Sequence, residues 1–360
     1  MHNYENLQPR LFGLNHSNRD FSKPESWGKN QFNSSFPAAL ACYMSYKSLE
    51  PVYLYLDDQL VVNHGKLPVT EFLGINYDSP NLLFAFERDY LPYQDVVIGV
   101  LPRVDLVTID TSRNYSCMRC IEIKLTALPD HTTCNLSENK YSCELVVRPP
   151  TIVYIAVSIA KSYQASRHEL LNYLQPICSK IRDWTTSNVV LPFMKQLIEI
   201  IDLIIVLSVN KQVPLTMQPI WKTQGKSAIL HDDCLDILVW SNLAFTRLFI
   251  DSSKADLVSK KISRHKRCML WLVKMLYDFA ITGKINHQSI IDEMSFNTKN
   301  DKAFALSGVR THKYLKCPEL SQPRIKKSEI KNIILGGGEK FLSPERRFDA
   351  VIVNTPNLFI

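Results

Sequence analysis

Asp105, Glu122 and Lys124 are the residues whose types and spacing suggest a reaction. They lie in two alternating, β-branched runs separated by the polar stretch Asp110-Thr-Ser-Arg-Asn114, which is the pattern of a β-hairpin. A turn centred on Arg113 and Asn114 puts Asp105 directly opposite Glu122. Side chains alternate along a strand, so Glu122 and Lys124 share a face and Asp105 joins them there. Ile121, Ile123 and Leu125 then point the other way, into a core. Two carboxylates facing each other repel, and a divalent cation between them removes that cost. The expected product is a Mg²⁺ site with an ammonium beside it, the minimal apparatus for hydrolysing a phosphodiester. Asp105 and Glu122 would ligate the ion, with the Ile123 carbonyl as a third ligand. Lys124 would orient or help deprotonate the attacking water and offset the developing negative charge.

The same spacing also occurs on ordinary solvated sheet faces, so the flanking residues matter. Ile121, Ile123 and Leu125 commit the opposite face of the strand to a core, which argues against a strand that is polar all round. Asp110 is the rival to Asp105. It lies five residues away, an odd number, and faces away from Glu122 as long as the strand stays regular. Glu87, expected at the end of a helix over 79–87, is a candidate second acidic contact; the alternative for it is a solvated helix-end carboxylate.

Asp105 followed by Glu122-x-Lys124 resembles the PD-(D/E)xK nuclease core, although Pro102-Arg-Val separates the proline from the aspartate. The longer string Glu122-Ile-Lys-Leu-Thr-Ala-Leu-Pro-Asp130 is similar to the HindVP-like (HgiDI-like) family of type II restriction endonucleases. Phe36-Pro-Ala-Ala-Leu-Ala-Cys-Tyr-Met44, Thr223-Gln-Gly-Lys-Ser227, Trp240-Ser-Asn242, Leu335-Gly-Gly-Gly338 and Ser343-Pro-Glu-Arg-Arg-Phe348 agree, so the resemblance runs from about residue 36 to 356. It implies an α/β (α+β) fold with a mixed sheet flanked by helices, and sequence-specific, Mg²⁺-dependent double-strand cleavage of DNA leaving 5′-phosphates. It further implies a palindromic target, GRCGYC in the family, a homodimer with one active site per strand, and pairing with a DNA methyltransferase in a restriction-modification system. Two other readings remain open from the residues alone. One is a DNA-binding protein without catalysis; the other is a repair or junction nuclease that reads shape with the same core.

Charge points to the same kind of partner. The 360 residues carry a formal net charge of +7, unevenly placed. Residues 254–347 hold 20 Lys or Arg against 9 Asp or Glu, a net of +11, which leaves −4 for the remainder. A basic part joined to a near-neutral one suits a polyanion, since phosphate contacts dominate affinity for nucleic acid. Arg264, Lys266, Arg267, Lys340, Arg346 and Arg347 are the candidate DNA contacts. Nine cysteines without a disulfide framework fit a reducing compartment. The polar N-terminus, with no signal-peptide layout and no apolar run of membrane-spanning length, sets the expectation of a cytoplasmic protein without membrane contact.

The elements expected to position these groups follow from period and punctuation. Residues 1–35 read as an arm. A helix from Phe36 to Leu49 capped by Ser34-Ser35, a hairpin around Asp57-Asp58 and a strand over 95–101 precede the catalytic hairpin. Helices are expected over 151–183 and 188–209, over 232–249 capped by Asp232-Asp233, and over 255–282 ending at Gly283. The expected division is 1–35, a catalytic core at 36–210, and a basic, largely helical DNA-binding part at 211–360 packed on the core. Three familiar signatures fail. Gln224-Gly-Lys-Ser227 lacks the upstream glycine of a phosphate-binding loop, His168-Glu169 lacks its closing histidine, and Gly336-Gly-Gly338 reads as a turn.

Overall fold

The hairpin around Asn114 forms where the alternation places it. In the computed structural model, which describes residues 14, 16–18, 29–124, 141–142, 145–223, 230–296, 304–306 and 317–335, it consists of β4 (Val104–Asp110) and β5 (Ser116–Ile123). Ahead of it come α1 (Lys29–Tyr46), β1 (Val52–Leu56), β2 (Val62–Lys66), α2 (Val69–Leu73) and β3 (Leu82–Arg88). Behind it come β6 (Tyr141–Ser142), β7 (Leu145–Val147), α3 (Pro149–Ser162), α4 (Arg167–Cys178), α5 (Ser187–Val190), α6 (Met194–Ser208), β8 (Pro214–Thr223) and β9 (Leu230–Ser241). Helices α7 (Asn242–Ala255), α8 (Arg264–Thr282) and α9 (His287–Glu293), strands β10 (Phe304–Leu306) and β11 (Ile325–Lys326), and helices at Pro318–Ser321 and Lys327–Leu335 complete the order.

Among the described residues, nine strands form one mixed sheet in the order β2-β1-β9-β8-β5-β4-β3, with β11 also on β9 and β6 on β8. The β5–β8 and β1–β9 pairs are parallel, and the others along this path are antiparallel. Alternating residues supply two cores, one on each face. Ala85, Val107, Cys120, Ile220, Leu238 and Trp240 pack under α3, α4, α6, α7 and α8. Phe84, Phe86, Leu106, Ile121, Ile123, Met217 and Val239 pack with α1, α2 and the helix Lys327–Leu335. The result is an α/β/α layering whose sheet is buried on both faces. Arg324 fastens the late segment to it, donating to both carboxylate oxygens of the buried Asp236 at 2.7 and 2.8 Å and to Glu50 O at 2.9 Å. Among the described residues no helix is long and apolar enough to cross a membrane.

Several elements differ from their expected form, for identifiable reasons. The expected helix at 79–87 is β3: Ser79 closes a turn with Asn81, and Phe84 and Phe86 stack at 6.5 Å on one face of a strand paired to β4. The expected strand at 95–101 is a 3₁₀ turn (Leu91–Val96) running into an irregular stretch, with Gly99 at φ +81°. The expected helix at 232–249 is β9 followed by α7. Both faces of β9 are buried, so its apolar run carries no period to distinguish it from a helix. The cap is Ser241, whose Oγ accepts from Ala244 N at 3.0 Å. Helix α1 begins at Lys29 and takes Ser34 and Ser35 into its body, carrying Pro37 within it because Phe36, Ala38 and Leu40 are fully buried. Helix α8 starts later than expected, at a Ser263 cap, and stops on Gly283 in the left-handed conformation as expected. Strands β8 and β9 lie between β1 and β5, so the sheet runs across the expected division at residue 210.

Candidate active site

The β4–β5 register sets the site. Leu106 pairs with Ile121 and Val107 with Cys120, which puts Asp105 across from Glu122. A one-residue slip occurs farther along, between Thr108 and Ile109, where Met118 of β5 is the extra residue. The slip therefore lies between this pair and the turn, and leaves the pair in register. Ile121 and Ile123 are buried in the opposite core, so the hairpin is anchored from behind.

On the front face the polar groups are closely engaged. Lys124 Nζ donates to Glu122 Oε1 at 2.5 Å, and Thr151 Oγ1, in the first turn of α3, donates to the same oxygen at 3.1 Å. Glu122 and Lys124 are 6% and 8% exposed, a depth at which charges require partners. Asp105 is partly exposed, and its Oδ2 accepts from Ile123 N at 2.7 Å. Burial, then the neighbouring Glu122 charge, pushes the Asp105 carboxyl up to about 7 against the opposing influence of Lys124 and the Ile123 N–H. Glu87 pushes it in the same upward direction. Burial and the two neighbouring carboxylates thus oppose the ionisation of Asp105 more strongly than Lys124 and the Ile123 N–H favour it.

Glu87 stands on β3, not on a helix. Phe86 pairs with Leu106 and Arg88 with Val104, so Glu87 falls across from Asp105. Its φ of +52° is a conformation that costs a non-glycine residue about 1–3 kcal/mol and that clusters at functional sites. Glu87, Asp105 and Glu122 therefore occupy one row across three neighbouring strands. Asp110 is used otherwise. Its Oδ1 accepts from Ser112 N at 2.9 Å and Ser112 Oγ at 2.6 Å, its Oδ2 pairs with Arg113 at 3.2 Å, and these bonds hold its carboxyl below the usual range.

Among the described residues no three His, Cys, Asp or Glu side chains form a group able to hold a metal ion unaided. The donor set suits an ion that takes one or two carboxylates and fills its remaining positions with backbone carbonyl, water and substrate phosphate oxygens. Mg²⁺ behaves in this way. The Asp105 carboxyl, whose ionisation burial and Glu122 oppose, is a second point of fit, because a cation beside it would favour its charged form.

The basic candidates separate. Arg264 is exposed at the start of α8. Lys266 is fully buried, donating to Ser259 O at 2.8 Å and Lys261 O at 3.2 Å, with Asp256 at 3.7 Å. Arg267 is 2% exposed, donates to Ser295 O and lies 4.9 Å from the Trp271 ring. These two cations hold the α7–α8 connection and the segment after α9, and in this fold they are not presented to a ligand. Lys340, Arg346 and Arg347 lie outside the described residues. Thr151 is a member of the site that sequence reasoning misses. Its signal is the Pro149-Pro150-Thr151 helix start, but nothing local says that this start faces Glu122.

The profile of the HindVP restriction endonuclease family matches residues 27–359. The chain is 48% identical over 352 residues to "Type II restriction enzyme HgiDI" of Herpetosiphon aurantiacus, covering 98% of this chain and 97% of that protein. It is 41% identical over 356 residues to "Probable type II restriction enzyme HindVP" of Haemophilus influenzae, covering 99% and 96%. No solved structure matches it. With the profile and both relatives spanning nearly the whole chain, hairpin and helical layers included, the chain belongs to the HindVP restriction endonuclease family.

Proposed function

We propose that this protein is a Mg²⁺-dependent endonuclease that makes sequence-specific double-strand cuts in DNA, with Asp105, Glu122 and Lys124 as its catalytic groups. The observation that carries the reading is the opposition of Asp105 and Glu122 with Lys124 on the same face. Asp105 and Glu122 would hold the ion together with the Ile123 carbonyl. The Ile123 N–H is aimed at Asp105, and a residue in an extended strand points its N–H and C=O toward the same neighbour. Bound there, Mg²⁺ supplies charge stabilisation at the scissile phosphate and lowers the pKa of a water. Lys124 orients that water and offsets charge on the phosphoryl oxygens. The water gives up a proton to solvent as its oxygen bonds to phosphorus, the P–O3′ bond breaks, and the 3′ oxygen takes a proton from solvent, leaving 5′-phosphate and 3′-hydroxyl ends. Thr151 keeps Glu122 oriented.

A palindromic target such as GRCGYC calls for a two-fold homodimer, one centre per strand. The experiment is to sequence across the ends of fragments produced from DNA of known sequence. Cuts at one palindrome with 5′-phosphates are expected; scattered ends would overturn the specific reading.

Glu87 is proposed as a second acidic contact, for a metal-bound water or a second ion. Glu87→Gln is then expected to raise the Mg²⁺ concentration for half-maximal cleavage by about threefold to tenfold, equivalent to about 0.7–1.4 kcal/mol. An unchanged Mg²⁺ dependence removes Glu87 from the site.

Affinity for DNA is expected to fall steeply with salt, with the net +11 of residues 254–347 as the main source. The slope of log affinity against log salt is roughly −0.9 per phosphate contact on duplex DNA. Arg346→Ala with Arg347→Ala flattens it by about one to two units if both touch phosphate. If they read guanine edges instead, the slope moves less and discrimination against altered sites drops by about 1–3 kcal/mol per lost pair. Unchanged slope and unchanged specificity would take the Ser343–Phe348 segment off the DNA.

A further inference from the structure

The row through Asp105 and Glu122 continues into β8. The parallel β5–β8 register pairs Glu122 with Thr216 and Ile123 with Met217, and Lys124 N donates to Met217 O at 2.8 Å. Lys124 is thereby brought beside Gln218, and Thr216 and Gln218 share the front face with Glu122 and Lys124. Both β8 side chains are fully buried. Gln218 Oε1 accepts from Trp240 Nε1 at 3.0 Å, which fixes the amide with its NH₂ pointing away from the indole. Trp240 is itself locked edge-on against Phe245, centroids 5.8 Å apart. Among the described residues, Gln218 Nε2 and Thr216 Oγ1 have no hydrogen-bond partner. A buried polar group left unpaired is destabilising, so two of them side by side in the centre of a sheet call for an explanation.

We propose that Thr216 and Gln218 are positioning residues of this centre, which the Trp240 contact preorganises to support Glu122 from the β8 side. Lys124 and Thr151 both donate to Oε1 of Glu122. Once Lys124 turns to the reacting water, Glu122 loses its strongest donor. The Thr216 hydroxyl and the Gln218 NH₂, directly or through one bridging water, then hold the carboxylate in its ligating orientation. The residue types suit that role, since both present donors, neither carries a charge to oppose the ion, and both sit on a rigid central strand. The inference rests on the active-site reading above and adds to it two residues nearly a hundred positions downstream of the hairpin.

The test is Thr216→Val beside Thr216→Ser, with Gln218→Met and Lys124→Ala in parallel, all as full-length protein. Thr216→Val keeps the shape and removes the unpaired hydroxyl. The melting temperature of the metal-free protein is therefore expected to hold or rise, while Mg²⁺ binding by calorimetry weakens about fivefold and kcat falls about tenfold at unchanged KM for DNA. Thr216→Ser is expected to stay within twofold of wild type on each measure, and Gln218→Met to follow the Val variant in Mg²⁺ binding and kcat. Wild-type Mg²⁺ binding and kcat in both Thr216→Val and Gln218→Met overturn the proposal. So does loss of activity that only tracks a lowered melting temperature, or equal impairment of the Ser and Val variants. Should the Val variant not fold, Gln218→Met alone decides by the same criteria. If Lys124→Ala still cleaves, the reading of the site itself has failed. If Lys124→Ala is inactive while the β8 variants match wild type, only the present inference has.

Discussion

Lys124→Ala should abolish cleavage, by about a thousandfold or more, while specific binding to DNA stays within about tenfold of wild type. A single preorganised donor to developing charge is worth about 10²–10³ in rate, and a residue that also orients the nucleophile adds to that. The binding limit, about 1.4 kcal/mol, follows because Lys124 is almost wholly buried against Glu122 and is not presented to base edges. A second effect accompanies the first. Removing one partner of a buried ion pair leaves the other charge uncompensated, at a cost of about 3–5 kcal/mol. The metal-free variant should therefore melt at a lower temperature than wild type, and Mg²⁺ should recover part of the difference by neutralising Glu122. Cleavage and gel-shift assays with thermal melts check all three points. Retained cleavage, or binding weakened by much more than tenfold, would remove Lys124 from its assigned role.

Asp105→Asn should be inactive, and the metal-free variant should be more stable than wild type at pH 8. The folded-state carboxyl sits at about 7, above its ordinary 3.8, so between those values the folded state binds more protons than the unfolded one. Stability from this group therefore falls as pH rises through that window. The penalty is absent below about pH 4 and complete above about pH 7, where it amounts to at most a few kcal/mol. Asparagine keeps an oxygen to accept from Ile123 N but carries no charge. The gain in melting temperature should therefore be clear at pH 8 and negligible at pH 4. Saturating Mg²⁺ should reverse the order by stabilising wild type alone. Asp110→Asn should behave differently, retaining cleavage within a few-fold. Asparagine also caps well, so the Ser112 contacts largely survive and the cost stays below about 1 kcal/mol. An inactive Asp110→Asn beside an active Asp105→Asn would contradict the observed register.

The parts of the site visible in the sequence are those made by local rules. Strand period, a polar turn and the count from Asp105 to Glu122 suffice to place the two carboxylates and Lys124 together, because all three lie on one hairpin. What stays hidden is non-local. Leu82–Arg88 carries a serine and a proline upstream that imitate a helix start, and only pairing with β4 makes it a strand that brings Glu87 into the row. Leu235–Trp240 is apolar almost throughout because both faces of β9 are covered, so period cannot distinguish strand from helix. Thr151, Thr216 and Gln218 meet the Glu122–Lys124 pair across 29 to 94 positions of sequence, and no local pattern encodes that. Lys266 and Arg267, within the basic run that opens α8, are buried for a related reason. Cations at a helix N-terminus oppose the helix dipole, and Lys266 and Arg267 are accommodated there by backbone carbonyls, Asp256 and Trp271.

Digesting a plasmid with wild type and Asp105→Asn across a Mg²⁺ titration asks whether the Asp105–Glu122–Lys124 face is a metal-dependent DNA-cleaving centre. Discrete fragments from wild type only when Mg²⁺ is present, with intact but mobility-shifted DNA from Asp105→Asn at every concentration, are the predicted result. Discrete fragments from Asp105→Asn at wild-type rates, or from wild type freed of divalent ions by chelation, would contradict it.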